Sequence, residues 1–560
     1  MSEAIPGGFP LLSILIFLPV FGALAVAFVP KGRGDVARAL GTAISASTLG
    51  LAVWLLIHFE NGVGAMQFVE AHEWIPSLGV GYRLGVDGIS VFLVALTTLM
   101  FPLALVASGH VTKRVKHYTI FMLLLEATVL GVFLANDLFL FFVFWEAMLV
   151  PMYFLIGYWG SAGRVRAAVK FFIFTAAGSA FLLAAIIGAG VIAGGDFSYA
   201  GIFGHDYTLW AQRLLFWAFT ISFLVKVPTF PLHTWLPDAH TEAPTAGSVI
   251  LAALLLKMGT YGLIRFSLPL FPRAAVEAVP VLLTLSVIGI IYAALVAIRQ
   301  KDFKRLVAYT SVSHLGFITL GIFAITTTGL TGGVAQMINH GLTTGALFFL
   351  VGMLYERRHT RLIDDYGGIR RQVPILGGVF LFVVFASAGL PGLNGFIGEM
   401  LTLFGTIVVH RWWAITAAIG VILAAIYLLW MYQRLFLGPL DKPENEKMRD
   451  MTATDLVVLV PLMILMLVLG IYPKPMLERI EPSVHEVVVA VEAGTAGTDQ
   501  AYVEPEQTSP SNPVAVVEAA EHAEAEQHAK EAAAESGGHA ESGGHGDSAG
   551  SGSGHTEGGR

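Results

Sequence analysis

Apolar stretches of roughly 20 residues, each long enough to cross a ~30 Å hydrocarbon core as a helix, recur along this chain from Pro10 to Tyr472. About fourteen can be counted, at 10–29, 36–58, 86–109, 117–135, 138–158, 167–193, 212–236, 245–267, 276–298, 305–325, 330–355, 373–407, 412–437 and 453–472. When the connections are numbered alternately, one set holds basic clusters such as Lys113-Arg114-Lys116 and Arg357-Arg358-Arg361. The other holds only Arg83, Arg213, Arg273 and Arg411. That asymmetry puts the first set in the cytoplasm and both termini on the opposite side, and it favours an even number of spans.

The pattern predicts an all-α polytopic membrane protein of about 14 transmembrane helices. Residues 1–115 supply three of them, 116–267 and 276–437 supply five each, and 453–472 supplies the last. Five is odd, so the second block enters the membrane in the opposite sense, which makes two inverted five-helix repeats. Each block contains a discontinuous helix, broken near Pro228 in the first and in Gly389-Leu390-Pro391-Gly392 in the second. Paired breaks of this kind mark midplane transport sites.

Composition agrees: of 560 residues 55% are hydrophobic and 13% charged. With no cysteine, disulfides, thiolate-held iron–sulfur clusters and covalent c-type haem are excluded. A Gly-rich dinucleotide fingerprint is also lacking, so redox chemistry is expected elsewhere, with no cofactor, metal or nucleic acid bound by this chain. No cleavable signal is evident, and the first span is expected to be retained. From 473 to 560 the chain carries 16 acidic and 4 basic residues. After a short amphipathic stretch around Val484 to Val491 it reads as a disordered, solvated extension rich in Gly, Ser and His, including His522, His528, His539, His545 and His555.

Six ionisable residues lie deep in spans otherwise almost free of charge: Glu146, Lys226, Lys257, His314, His340 and Glu399. Charges at that depth are costly and mark ion paths. Glu146 and Lys226 are expected to form an ion pair whose members tune each other's proton affinity. Lys257, in Leu254-Leu255-Leu256-Lys257-Met258, is a lysine whose burial favours exchange of its proton. His314 and His340 read as a relay on adjacent spans, against the alternative of two packing histidines. His233, Asp238 and His240 lie in a Pro-rich segment that reads as a candidate channel mouth; haem or zinc ligation there is the weaker reading, because the spacing matches no common ligand pattern.

The run from 226 to 266, KVPTFPLHTWLPDAHTEAPTAGSVILAALLLKMGTYGLIRF, closely resembles the signature region of the antiporter-like subunits of respiratory complex I. Further matches are FFVFWEAMLVPMYFLIGYWG at 141–160, KRLVAYTSVSHLGFI at 304–318, QMINHGLTTGALFFLVGMLYERRHTR at 336–361 and GLPGLNGFIGEM at 389–400. The sister subunits L and N carry lysine where this chain has Glu399, and subunit L also has a long amphipathic C-terminal helix that is not evident here. The resemblance implies a fourteen-helix membrane-arm subunit that moves a proton as quinone is reduced elsewhere in the complex. FMN, iron–sulfur clusters and quinone would sit in other subunits, and the neighbours would be L, N and the lipid bilayer. It maps the family's charged pair onto Glu146 and Lys226, its central lysine and histidines onto Lys257, His314 and His340, and its exit residue onto Glu399.

Overall fold

The computed structural model describes residue 5, residues 7–197 and residues 199–505. The expected His-rich extension, with His522, His528, His539, His545 and His555, lies outside the described residues. Among the described residues, eleven helices are long and apolar enough to cross a membrane, and two shorter apolar helices, Leu11–Ala27 and Pro374–Ser387, accompany them.

Polar residues at the ends of the apolar runs start the helices. The Asp137 carboxylate accepts from the backbone N–H groups of Phe139 and Leu140, and Asp302 does the same for Lys304 and Arg305. Thr452 and Asp455 form a reciprocal capping box ahead of Ala453–Ile471. Each device satisfies donors that a helix N-terminus leaves unpaired.

Burial separates the helices into a core and a periphery. Thr245–Leu270 and Thr327–Arg358 are wholly enclosed by protein over their apolar windows and Phe303–Phe323 is 94% enclosed, whereas Gly34–His58 and Ala453–Ile471 are only 28% enclosed. Polar side chains on the first three helices therefore face protein and not the surroundings. Thr245–Leu270 is irregular: Leu251–Leu255 and Leu263–Ser267 are π-helical. Such bulges shift side chains out of the regular helical register and are common at functional sites.

The region expected as one span at 212–236 is broken. Its helix runs Leu209–Lys226, and after the Pro228 break the chain resumes as Trp235–Glu242. The Trp235 indole N–H donates to the Val225 carbonyl at 2.8 Å, which satisfies an acceptor freed by the break. The second break separates Pro374–Ser387 from a helix starting at Asn394. Gly389 (φ +73°) and Gly392 (φ +90°) supply left-handed backbone there that other residues seldom adopt.

Two features differ from the sequence-based expectation, the hairpin and the C-terminal helix. The segment before the third span forms an antiparallel hairpin, Gln67–Ile75 with Val80–Val86. The expected boundary between 373–407 and 412–437 coincides with a kink at His410, where the backbone within Asn394–Phe436 is non-helical (φ −138°, ψ 57°) and divides it into two helices. The short amphipathic stretch expected around Val484 to Val491 is part of a longer element, the 22-residue helix Lys474–Thr495. It buries Met476, Leu477, Ile480, Val484, Val487, Val488 and Val491 against the body, and a long amphipathic C-terminal helix is thus present.

A buried polar line as the candidate functional site

Lys257 is fully buried near the middle of Thr245–Leu270. Its Nζ donates to the Ala252 carbonyl at 2.6 Å and lies 2.5 Å from His340 Nδ1. Ala252 belongs to the π-helical turn, so the bulge supplies an acceptor five residues upstream of the lysine. His340 comes from the neighbouring Thr327–Arg358 helix. Its ring centroid is 5.7 Å from that of His314.

His314, on Phe303–Phe323, places Nδ1 2.8 Å from Glu399 Oε1 and Nε2 3.5 Å from the Tyr427 hydroxyl. Gln336 Nε2 donates to the same Glu399 oxygen at 3.1 Å. Glu399 follows the second break and is 3% exposed. A β-carbon on Gly398 would stand 2.3 Å from Gln336 Oε1 and 2.8 Å from its Cα; only glycine lets the two helices approach closely enough for the Gln336–Glu399 contact. Two amides join the same helices, with Asn339 Nδ2 donating to the Asn394 carbonyl at 2.7 Å. Lys257, His340, His314 and Glu399 thus form a line across four helices.

The expected Glu146–Lys226 ion pair is not closed. Lys226, 1% exposed, holds Nζ 4.8 Å from the Trp145 ring centroid and 3.8 Å from Met148 Sδ. Glu146 is within Coulombic range of it, but Glu146 Oε1 is buried without a hydrogen-bond partner among the described residues. Trp145 and Met148 flank Glu146 in sequence, so the aromatic face, not the carboxylate, receives the ammonium, as cation–π contacts allow.

His233, Asp238 and His240 do not converge on one mouth. His233 packs against Phe230 and Tyr292. Asp238 bridges Lys170 at 2.7 Å and Arg305 at 3.1 Å, tying Arg164–Ile192 to Phe303–Phe323. His240 is fully buried and stacks on Phe348 with centroids 4.7 Å apart. Neither of its ring nitrogens has a hydrogen-bond partner among the described residues. It is within Coulombic range of both Lys304 and Lys257.

Lys304, at the start of Phe303–Phe323, is 7% exposed and donates to the Ala243 carbonyl at 2.6 Å. It lines a cavity of about 490 Å³ whose walls include Lys113, Arg164, Glu356 and Arg361. This cavity opens among the basic connections, and its Lys304 is within Coulombic range of His240. Lys304 and Gln336 are thus additions to the six expected residues. A lysine at a helix start and a glutamine among apolar neighbours carry no pattern that marks them in sequence alone.

A bundle whose enclosed helices present lysine, histidine and glutamate to one another, in two elements interrupted by proline, defines a polytopic ion-translocating membrane protein. Residues 135–426 match the family described as NADH:quinone oxidoreductase/Mrp antiporter, transmembrane, and residues 42–135 match the amino terminus of NADH-ubiquinone oxidoreductase chain 4. The chain belongs to this NADH:quinone oxidoreductase family. It is 46% identical over 494 residues to the NADH-quinone oxidoreductase subunit M of Rhodobacter capsulatus, covering 85% of this chain and 96% of that one. With subunit M of Mycobacterium tuberculosis the identity is 42% over 528 residues, covering 86% and 94%. Among solved structures, a chain of respiratory complex I from Thermus thermophilus with bound NADH superposes with a TM-score of 0.79 at 32% identity, covering 86% of this chain and 99% of that one.

Proposed function

We infer that this chain is the proton-translocating membrane-arm subunit of an NADH:quinone oxidoreductase, corresponding to subunit M. The observation that carries the reading is the contact of Lys257 with His340 and of His314 with Glu399, four side chains buried between helices. Electron transfer takes place in other subunits, which hold FMN, iron–sulfur clusters and quinone. The neighbours are the antiporter-like subunits L and N in a bacterial inner membrane, with both termini on the non-cytoplasmic side. Fourteen spans and two inverted five-helix blocks, each with its broken helix, fit this role.

In this mechanism a proton enters the cavity among the basic connections, passes His240 and loads Lys257. The Lys226 ammonium rests on Trp145 when its pair with Glu146 is open, and a change in the neighbouring subunit closes the pair. Closing removes an uncompensated cation from the electrostatic surroundings of the central lysine and changes the cost of holding its proton. The proton moves through His340 and His314, whose rings are close enough for one water to bridge them, to Glu399 and out on the far side. Moving one charge across 100 mV takes about 2.3 kcal/mol, and a change in proton affinity of ~1.4 kcal/mol per pKa unit is of the right size to drive it.

Lys226→Ala tests the reading in sealed inverted vesicles that contain the assembled complex. NADH-driven proton uptake coupled to quinone reduction is expected to be lost while the complex still assembles. Normal uptake in the variant would refute the charge-switch role. Proton uptake that follows an imposed sodium gradient and needs no NADH would favour instead a subunit of a multi-subunit cation/proton antiporter. Coupling to ferredoxin or hydrogen would favour a ferredoxin- or hydrogenase-linked relative.

A further inference from the structure

The segment after the C-terminal helix folds back as a strap over the ends of two membrane helices. Asp499 meets Arg273 at 3.5 Å and Gln500 bonds Glu277, both on Pro272–Ile298. The Tyr502 hydroxyl donates to the Ile325 carbonyl at 2.7 Å. The strap ends on Glu504, whose Oε1 accepts from the Thr327 backbone N–H at 2.5 Å and whose Oε2 is 2.7 Å from the Thr327 hydroxyl.

Thr327 begins the Thr327–Arg358 helix, and the preceding Thr326 side chain already serves the Gly329 N–H. Glu504 therefore serves a second unpaired donor of the same terminus. Gln336 and His340 lie nine and thirteen residues along, about 14 and 20 Å at 1.5 Å per residue. A straight helix transmits an axial shift at its end directly to them.

We propose that Glu504 is a positioning residue for proton transfer: docked on Thr327, it fixes the height of the Thr327–Arg358 helix and so the reach of His340 to Lys257 and of Gln336 to Glu399. The proposal rests on the relay reading above, and nothing in the motif-bearing part of the chain encodes it.

The charged groups facing Glu504 are Glu492 and His485 on Lys474–Thr495, with Arg273 and Glu277 facing the rest of the strap. The Glu504 backbone N–H donates to Glu492 Oε1 at 2.5 Å. Burial, aided by Glu492, raises the Glu504 carboxyl above its ordinary range, while the Thr327 hydrogen bonds and His485 pull it down. A free strap would have the ordinary carboxylate value. The docked strap thus binds the proton more tightly; docking is favoured in acid and weakens as pH rises through the docked value. The neutral group keeps both contacts, with Oε1 accepting from the N–H and the Oε2 hydroxyl donating to the Thr327 oxygen.

Glu504→Gln preserves that neutral hydrogen-bonding pattern, and Glu504→Ala removes it. In the purified, assembled complex, hydrogen exchange of residues 499–505, corrected for intrinsic rates, is expected to open in the unsubstituted chain as pH rises. It should stay protected at all pH values in Glu504→Gln and stay open in Glu504→Ala. Proton uptake per NADH should fall in Glu504→Ala and be retained in Glu504→Gln. Unchanged uptake in Glu504→Ala, or an opening in Glu504→Gln that follows pH as in the unsubstituted chain, would overturn the proposal. If Glu504→Ala does not assemble, the comparison of Glu504→Gln with the unsubstituted chain still decides. Lys257→Met measured alongside separates the two ideas, because normal pumping there would remove the relay while the exchange data still test the strap.

Discussion

Lys257 Nζ and His340 Nδ1 are 2.5 Å apart, although they lie 83 residues apart on different helices. At that separation inside a wholly enclosed pair of helices, two positive charges repel strongly. A charge on one member therefore disfavours a second charge on the other. A proton arriving at either member changes the occupancy of the other, which is the property a relay needs.

Glu399 accepts from Gln336 and contacts His314, so Glu399→Gln keeps the size of the side chain but removes the carboxyl that the proposed path leads to. Proton transfer through this subunit should slow roughly ten-fold for a barrier raised by ~1.4 kcal/mol, which lowers the protons taken up per NADH by at most the share this subunit moves. The complex should assemble normally on native gels. The check is the proton-to-electron ratio in sealed vesicles, and an unchanged ratio would remove Glu399 from the path.

His240 presents two unpartnered ring nitrogens against the face of Phe348. Replacing a buried polar group that lacks partners with an apolar one of similar shape is close to neutral or stabilising. His240→Phe should therefore leave the melting temperature of the complex unchanged or higher while slowing proton loading. A variant that melts lower and pumps at the normal rate would show that His240 is a packing residue.

Arg265 forms a largely buried ion pair with Asp87, joining the end of Thr245–Leu270 to the segment after the hairpin. Arg265→Met strands the Asp87 carboxylate and should cost about 3–5 kcal/mol. Removing both charges in Arg265→Met with Asp87→Asn should recover much of that loss. Thermal unfolding of the purified complex would measure the difference, and equal destabilisation by the single and double variants would argue against a paired role.

Most of the helical layout was legible in the sequence because membrane spans announce themselves by length and apolarity, and proline and glycine marked both breaks. The hairpin at 67–86 was not, since its strands lie in a mixed-polarity connection and owe their pairing to contacts with each other. Lys474–Thr495 was underestimated because Pro482 and several glutamates interrupt its pattern, and only docking against the body reveals how much it buries. Within the site, residue identity picked out Lys257, His314, His340 and Glu399, but not which of them touch. Lys226 shows the limit in the other direction: its neighbour in charge is Glu146, yet its ammonium rests against the Met148 sulfur and the Trp145 ring. Glu126, also fully buried in Val115–Leu134, is not marked in the sequence, because no break or second charge accompanies it.

The central claim is that protons cross through Lys257. Its most direct test is the number of protons taken up per NADH oxidised by sealed vesicles whose assembled complex carries Lys257→Met, a substitution that fills the same space without a titratable group. The ratio is expected to drop below that of the unsubstituted complex by the share this subunit moves. An unchanged ratio at an unchanged rate of NADH oxidation would contradict the account.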